Sequence, residues 1–496
     1  MDVEVNVVFE CNGQKWLVPA FWAGDNKWSV RFAPPVVGDF KYYLESSDKS
    51  NLDFNGNLQS FEVIPYKGEN SLLKHGFLQI SENNRFFEHA DGTPFLWMGD
   101  TWWKCLCKRM TWEGFQELTA NRKEKGFNVV QIVCGPYPDE NMMEPGWENE
   151  GGKPYDTIDF SIVNPKYFNF ADRRIKHLVD AGIVPVIVGG WGRPQGGSMS
   201  TLTQVGLDGF KRHWRYLIAR YGAYPSIWMV GGEAKDLYGP WSALAKYVED
   251  TDPCNHLLCY HAPGHPREML QDNSMFDFDM LAIGHSGMET VNRTFDLMKS
   301  CLETSPRRPV LCGEACYEGH MQSNYQYLQR HMFWSFMLSG AAGHTYGAAG
   351  IWQASVEGSP GITPVYDFTT WKEGMNYPGS TQIGIGKKLL EKYPWSRFES
   401  HSEWVEEGSF AAGIPGELRI IYLPRRNIYN WSGPAVKNLA PGVNWHVYYF
   451  DPVTGRKFDQ GTIRSSARMD DETAEPVGFK IKVPSPQDWV LVFEQL

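Results

Sequence analysis

The sequence lacks the features of a membrane protein or a nucleic-acid-binding protein. No run of about 18 apolar residues occurs, so no segment is predicted to span a membrane. Lys and Arg (47) are fewer than Asp and Glu (58), and the net charge of −11 leaves no basic stripe to neutralise phosphates. We therefore expect neither nucleic acid nor a membrane as a partner.

Cysteine is scarce, and the spacing of the cysteines does not indicate disulfide pairs. The nine Cys are an odd number, are scattered, and in several cases lie inside apolar runs. This pattern favours buried free thiols in a reducing compartment over a disulfide framework. The first residues, MDVEVNVVFE, are acidic and typical of a β-strand, not of a signal peptide. We expect a cytoplasmic location for the chain as given, and a periplasmic or secreted one if a leader has been removed.

Aromatic residues, in contrast, are abundant. The chain has 20 Trp, 23 Tyr and 28 Phe, or 14% of its residues. Aromatic rings commonly line sites that bind flat, partly apolar ligands such as sugars. Aromatic-rich β domains would explain the same excess, so both interpretations remain open.

The two ends of the chain alternate between apolar and polar residues with a period of two. Residues 1–64 contain segments such as VEVNVVFE and KWLVPAFW, separated by Gly, Asn and Asp turns. Residues 401–496 resume the same pattern in LRIIYLP and DWVLVFEQL. Each end is predicted to form a small β-sandwich domain.

The middle of the chain, residues 65–400, has a different pattern of apolar residues. Short continuous apolar runs alternate with amphipathic segments of helical length, which is typical of buried parallel strands joined by helices. Eight such runs occur: 95–100, 127–135, 183–190, 226–233, 256–264, 279–287, 308–314 and 343–350. This number predicts an α/β fold, a (β/α)₈ TIM barrel, between the two β-sandwich domains.

Two of these runs end on a glutamate. The fourth, SIWMVGGE, ends at Glu233, and the seventh, RPVLCGE, ends at Glu314. Catalytic groups of (β/α)₈ barrels lie at the carboxyl ends of the strands. Two carboxylates across such a mouth suit glycoside hydrolysis, since one protonates the leaving oxygen while the other attacks or stabilises the anomeric carbon. Glu318 is an alternative candidate for the role of Glu314, but it lies four residues beyond the strand and is therefore predicted to lie in the loop.

Other polar and aromatic residues lie near strand ends and are candidate sugar contacts. Aromatic faces pack against sugar C–H groups, and a His or Tyr beside a carboxylate keeps it ionised by hydrogen bonding. The candidate substrate-binding residues are Asp100, Trp102, Trp191, Tyr260, His261, His285 and Tyr346. Large aromatic residues also fill the layers inside such barrels, so this alternative interpretation stays open for each of them.

Two other functions are compatible with parts of the sequence. A non-catalytic carbohydrate-binding protein on a barrel scaffold would also be rich in aromatic residues. A metal-dependent barrel hydrolase is suggested by His261, His265 and His285, but no His-x-His follows the first strand and no ligand set has metal spacing. We therefore expect no metal and no cofactor.

Four segments together resemble a known group of enzymes. FLWMGDTWW, IWMVGGEAKD, LCGEACYEG and VPAFWAGDNKWSVRFAPPVVGDFKYY are similar to segments of bacterial glycosidases of clan GH-A, among which apiosidases of glycoside hydrolase family 140 are the nearest characterised relatives. In that clan the carboxylate ending strand 4 is the acid/base and the one ending strand 7 is the nucleophile. The resemblance thus implies these roles for Glu233 and Glu314.

The sequence departs from this pattern at two places. Apiosidases have Asp where Glu233 stands, which implies a different sugar in the cleavage subsite. Clan members often have Asn before the acid/base, where this chain has Gly232, so the bond to the sugar 2-hydroxyl must come from elsewhere, with Asp100 or His261 as candidates.

The expected activity is that of a retaining, β-type or apiose-like glycosidase acting on an oligosaccharide or polysaccharide by double displacement. The long loops after strands 2 and 8 and the abundance of Trp favour a pocket and exo action. Sugar identity and oligomeric state cannot be read from the sequence.

Overall fold

The computed structural model describes residues 3–51, 54, 58–135, 137, 143–192, 201–236, 239–358, 368–425, 436–439, 442–464, 479 and 481–496. Among the helices in these ranges, none combines the length and the apolar character needed to cross a bilayer. All nine cysteines lie in described ranges and are free thiols, as predicted.

The N-terminal region is an antiparallel β domain. Four strands form a sheet in the order β2-β1-β5-β6, and β3 pairs with β4 in a hairpin. Asn12 and Gly13 join the first two strands with positive φ angles of 49° and 81°, the conformation that a two-residue hairpin turn requires. The strands are β1 (Val5–Cys11), β2 (Gln14–Pro19), β3 (Phe21–Gly24), β4 (Lys27–Ser29), β5 (Gly38–Ser46) and β6 (Gln59–Val63).

A short connecting region leads into the barrel and covers the end at which its strands begin. Its elements are α1 (Ser71–Lys74), β7 (Leu78–Ile80), β8 (Phe87–His89) and β9 (Pro94–Phe95). The three strands form one small antiparallel sheet. The ring of Phe87 lies 5.2 Å from that of Trp97 and 5.1 Å from that of Phe278, so this sheet closes the barrel core.

Eight parallel strands form a closed barrel in sequential order, and β10 pairs with β17 to close it. Each of the eight predicted apolar runs overlaps one of these strands. They are β10 (Trp97–Thr101), β11 (Val129–Val133), β12 (Val184–Val188), β13 (Ile227–Gly232), β14 (Leu258–Ala262), β15 (Asp279–Gly284), β16 (Val310–Ala315) and β17 (Gly343–Tyr346). The predicted (β/α)₈ barrel is therefore confirmed.

Helices connect and surround the barrel strands. They are α2 (Trp112–Glu124), α3 (Pro165–Asp180), α4 (Thr201–Tyr221), α5 (Pro240–Thr251), α6 (Pro266–Met269), α7 (Met288–Glu303), α8 (Gln326–Met337), α9 (Trp371–Gly374) and α10 (Pro378–Leu390). Short 3₁₀ helices span Pro145–Trp147, His320–Gln322, Trp395–Arg397 and Ser402–Trp404.

The C-terminal region is a second antiparallel β domain, with one sheet in the order β18-β19-β20-β23-β21-β22. Its strands are β18 (Glu399–Ser400), β19 (Phe410–Ile414), β20 (Leu418–Leu423), β21 (Asn444–Phe450), β22 (Lys457–Arg464) and β23 (Trp489–Gln495). The barrel is thus flanked by two β domains, as predicted.

A buried ion pair links the C-terminal sheet to helix α8 of the barrel. Arg330 on α8 donates from Nε and Nη2 to the two carboxylate oxygens of Asp488, at 2.8 and 2.6 Å. Asp488 directly precedes β23 and also accepts a hydrogen bond from Tyr422 of β20. Removing one partner of a buried pair leaves an uncompensated charge, so this contact fixes how the sheet and α8 pack together.

Candidate active site

Glu233 and Glu314 both lie at the carboxyl ends of barrel strands. Glu233 directly follows β13 and Glu314 is the fifth residue of β16. The pairing of both strands with their neighbours shifts register near these residues, between Met229 and Gly232 and again opposite Glu314. Such irregularities change the direction in which side chains point at the rims of barrels.

The backbone of Glu233 is in the left-handed region, with a φ angle of 60°. A non-glycine residue in this region costs on the order of 1–2 kcal/mol, so the surrounding structure must hold it there. Its amide donates to the carbonyl of His261 at 3.0 Å, and the Tyr260 hydroxyl donates to the carbonyl of Ala234 at 2.8 Å. Strand β14 thus fixes the chain on both sides of the Glu233 Cα.

Both glutamates line one cavity of about 960 Å³ at this end of the barrel. Trp191, His261 and His285, three of the predicted substrate contacts, line it as well. The Trp191 and His261 rings meet edge to face with centroids 5.2 Å apart. Five of the nine predicted site residues therefore lie together.

Glu314 is only 8% exposed and lies between two histidines. His285 Nε2 is 2.9 Å from Oε1, and His261 Nε2 is 2.9 Å from Oε2. Burial alone would raise the pKa of Glu314, but the contacts with His261 and then His285 outweigh it and hold this pKa well below its usual range. The carboxylate is therefore ionised at neutral pH.

The tautomer of His285 follows from its two contacts. Its Nδ1 accepts a hydrogen bond from the backbone N–H of Tyr317 at 3.2 Å. In a neutral imidazole the other nitrogen then carries the proton, so Nε2 donates to Glu314 Oε1. The ring is fixed between a backbone donor and the carboxylate.

The two glutamates approach one another closely. One carboxylate oxygen of Glu233, one of Glu314 and a ring nitrogen of His261 all lie within 4.8 Å of one another. This distance is short enough for one carboxylate to attack a sugar carbon while the other protonates the departing oxygen.

The glycines beside the glutamates serve internal packing. A Cβ on Gly232 would lie 2.5 Å from His261 Cβ, and one on Gly313 would lie 2.4 Å from Met280 Cγ. The first contact would require β14 to move, and the second would require the Met280 side chain to move. These glycines therefore permit close packing, and the Asn common in clan GH-A would not fit at Gly232 without such a shift.

Asp100 and Trp102 are not among the residues that line the cavity. Asp100 is fully buried and accepts hydrogen bonds from Arg122 Nε at 2.6 Å and from the Trp102 indole at 2.7 Å. Its charge is thus neutralised by an internal arginine, which the sequence pattern did not reveal. Of the two candidates for the sugar 2-hydroxyl contact, His261 alone is in the cavity.

Tyr260 and Tyr346 also lie outside the cavity lining. Tyr260 is buried against Trp241, and its hydroxyl supports the loop after Glu233. The Tyr346 hydroxyl donates to Glu318 Oε2 at 2.6 Å. Burial raises the pKa of Glu318, whose carboxylate also accepts from the amide of Gly379. This rival to Glu314 therefore lies after the end of β16 and outside the cavity lining.

Four aromatic or imidazole side chains in the cavity were not predicted: Trp103, Tyr317, His320 and Trp352. The Trp103 indole donates to the Tyr317 hydroxyl at 2.9 Å, and the Tyr317 and Trp352 rings are 6.4 Å apart. Trp103 follows β10 by two residues, so strand alternation does not fix its direction. Tyr317 and Trp352 lie in loops and His320 begins a short 3₁₀ helix, where no periodicity in the sequence gives orientation.

Of the three histidines that suggested a metal-dependent hydrolase, His261 and His285 line the cavity and His265 does not. His265 Nε2 lies 3.6 Å from the Cys301 thiol and does not join the cavity. Within the described ranges, the group of side chains able to hold a metal ion consists of Glu233, His261 and Glu314.

Comparison with known proteins gives two family matches. Residues 81–397 match the family described as apiosidase-like, catalytic domain, and residues 1–47 match a domain of unknown function (DUF5060). No curated protein matches the chain.

Several solved structures have a similar fold. A putative glycoside hydrolase from Bacteroides vulgatus is 20% identical with a TM-score of 0.72, over 100% of this chain and 96% of that chain. A glycoside hydrolase of family 5 from the same organism is 20% identical with a TM-score of 0.69, over 85% of this chain and 93% of that chain. At this identity the likeness establishes the fold of the chain.

Proposed function

The chain belongs to the apiosidase-like family of glycoside hydrolases, and from this premise we propose that it cleaves its glycan by double displacement with retention of configuration. Glu314 is the nucleophile and Glu233 the acid/base. The substrate is a β-linked or apiose-like furanosidic glycan, from which the enzyme releases a terminal sugar.

The close approach of Glu233 and Glu314 is the observation that carries this proposal. Their nearest oxygens are within 4.8 Å. Retaining glycosidases have carboxyl groups about 5–5.5 Å apart, whereas inverting enzymes need about 6.5–9.5 Å to seat a water molecule. The shorter spacing supports direct attack by a carboxylate.

The electrostatics of the pair support the division of roles. Glu314 is buried, hydrogen-bonded by His285 and ionised, which suits a nucleophile. Glu233 also lines the cavity but is less buried than Glu314, which gives a water molecule access to it in the second step. A group that first donates and then accepts a proton needs that access.

The reaction then proceeds in two steps. Glu314 attacks the anomeric carbon while Glu233 gives its proton to the departing glycosidic oxygen, which leaves a sugar ester on Glu314. Water next attacks the same carbon, Glu233 takes its proton, and the bond to Glu314 breaks. Two inversions restore the original configuration.

The cavity lining supports a sugar as the ligand. Trp103, Trp191 and Trp352 surround the glutamates with indole rings, and such faces pack against sugar C–H groups. Exo action remains a prediction, because much of the loops after the second and eighth strands, including 138–142 and 359–367, lies outside the described residues.

Azide rescue tests the two roles. Glu314→Ala should lower turnover of an activated aryl glycoside by at least about a thousandfold, because no nucleophile remains. Azide should restore turnover by attacking from the vacant side and give a glycosyl azide of inverted configuration. Glu233→Ala with azide should give the retained azide instead.

Glu318→Gln is the matched control for this experiment. It changes a carboxylate four residues from Glu314 that contacts Tyr346 and Gly379 instead of lining the cavity. Its turnover should stay within about tenfold of the wild type. Undiminished turnover in Glu314→Ala, or rescue of that variant with retained configuration, would contradict the assignment.

A further inference from the structure

We propose that the cleft between the two glutamates is also a binding site for a first-row transition metal ion, with Zn²⁺ as the ion to test. Glu233, His261 and Glu314 are its three protein ligands, and water completes the coordination. Bound metal blocks catalysis, so the site makes the enzyme sensitive to zinc.

The spacing of the three ligand atoms suits a zinc ion. They lie within 4.8 Å of one another, and His261 Nε2 is 2.9 Å from Glu314 Oε2. Ligand atoms about 2.0–2.2 Å from a tetrahedral zinc are about 3.3–3.6 Å apart, so binding must separate His261 Nε2 and Glu314 Oε2 by about half an ångström. Glu233 is only half-buried, so its carboxylate can close the remaining distance by side-chain rotation while the backbone stays in place.

Two of the ligand atoms form no aligned hydrogen bond within the described residues. Glu314 Oε2 and His261 Nε2 are both buried and face each other at 2.9 Å as an ion pair, but they are not aligned for a hydrogen bond. Oε1 of the same carboxylate is already bound by His285. A cation bound by both atoms would supply the directed contact that the ion pair lacks.

The donor set selects among metal ions. Two carboxylates and one imidazole suit Zn²⁺, whereas Mg²⁺ prefers an all-oxygen octahedral shell with several waters. His261 Nδ1 has no hydrogen-bond partner in the described part of the chain, so its ring lacks the outer support that most zinc-bound histidines have. The lack of such support typically costs about 10- to 100-fold in metal affinity, so we expect reversible binding and not a permanently loaded metal.

Occupancy by metal has a direct consequence for turnover. The ion would hold both catalytic carboxylates and fill the space where the scissile bond must lie. Inhibition should therefore be competitive with substrate. This consequence rests on the proposed function, whereas the binding of metal rests on the geometry alone.

Isothermal titration calorimetry on the full chain, with ZnCl₂ and with MgCl₂, tests the site without any substrate. We expect reversible binding of one zinc ion per chain and at least about tenfold weaker magnesium binding. Glu233→Gln should weaken zinc binding at least about tenfold, since it replaces one charged ligand with a neutral amide. His261→Asn should do the same.

His320→Asn is the matched control, because His320 lines the same cavity outside the three-ligand cluster. Its zinc affinity should stay within about threefold of the wild type. Wild-type zinc affinity in Glu233→Gln would overturn the proposal and point to thiols or other histidines. Should His261→Asn not fold, the Glu233→Gln result decides alone.

Kinetics separate this proposal from the proposed function. Competitive inhibition by Zn²⁺, with an inhibition constant equal to the calorimetric dissociation constant, would support both. Non-competitive inhibition would overturn the assignment of the metal to the catalytic cleft. Stimulation of turnover by Zn²⁺, lost in Glu233→Gln, would leave the metal site standing and contradict the double-displacement mechanism.

Discussion

At the scale of single residues, the state of Glu314 depends on a side chain that does not itself react. His285 donates from Nε2 to Glu314 Oε1 at 2.9 Å, and the backbone N–H of Tyr317 fixes its tautomer. A hydrogen bond to a charged group contributes about 1.5–3 kcal/mol, most of it when the carboxylate is ionised. His285 thus positions the nucleophile and stabilises its charge.

His285→Ala tests this role. Loss of a bond worth about 1.5–3 kcal/mol should lower kcat/KM by about 10- to 100-fold. Because the bond stabilises the ionised form, its loss should raise the pKa of Glu314, and the acid limb of the kcat/KM profile should move to higher pH.

His285→Gln is the matched variant, since its amide keeps an N–H donor, and both effects should be smaller. A merely structural role would lower activity without moving the acid limb. An unchanged limb in His285→Ala would therefore contradict the positioning role.

At the scale of secondary-structure elements, the layer between β17 and α8 contains a buried histidine, His344. Its ring is 6.0 Å from that of Phe333, and among the described residues neither of its nitrogens has a hydrogen-bond partner. Burial lowers the pKa of His344 to about 3. The folded state thus resists protonation of this ring, whereas the unfolded chain takes up a proton near pH 6.5.

The sign of the pH effect follows from these two values. The stability contributed by keeping His344 neutral is complete above about pH 6.5 and declines as the pH falls from 6.5 towards 3. At pH 5 the loss is on the order of 2 kcal/mol. His344→Leu should therefore flatten the decline of the free energy of unfolding between pH 7 and pH 4, measured by urea denaturation.

His446→Gln is a control of opposite sign. Its hydrogen bonds with Glu494 and then Asp459 raise the pKa of His446, so its contribution is present at low pH and lost as the pH rises through that value. Removing it should steepen the acid decline. An acid decline of equal slope in His344→Leu and the wild type would show that the buried ring does not contribute.

At the scale of the whole molecule, the arrangement of the domains could be predicted from the sequence because it depends on periodicity. Continuous apolar runs indicated eight buried parallel strands, and a period of two indicated antiparallel sheets at each end. The strand ends then brought Glu233, His261, His285 and Glu314 to one mouth. Strand order alone is enough for this, because all parallel strands end on the same side.

The remaining site residues could not be predicted because they depend on side-chain partners distant in sequence. Asp100 ends a strand as Glu314 does, but Arg122, on the following helix, binds it internally. Tyr317 and Trp352 reach the cavity from loops, whose course follows no period. The direction of a side chain at a strand end therefore depends on its packing partners, which the local sequence does not specify.

Direct attack of Glu314 on the sugar determines the configuration of the first product. Proton NMR of a β-configured substrate, recorded within the first turnovers and before mutarotation, identifies the anomer released by the wild-type enzyme. We expect the β-anomer, that is, retention, because two displacements restore the original configuration. Release of the α-anomer would mean a single displacement by water and would rule out attack by Glu314.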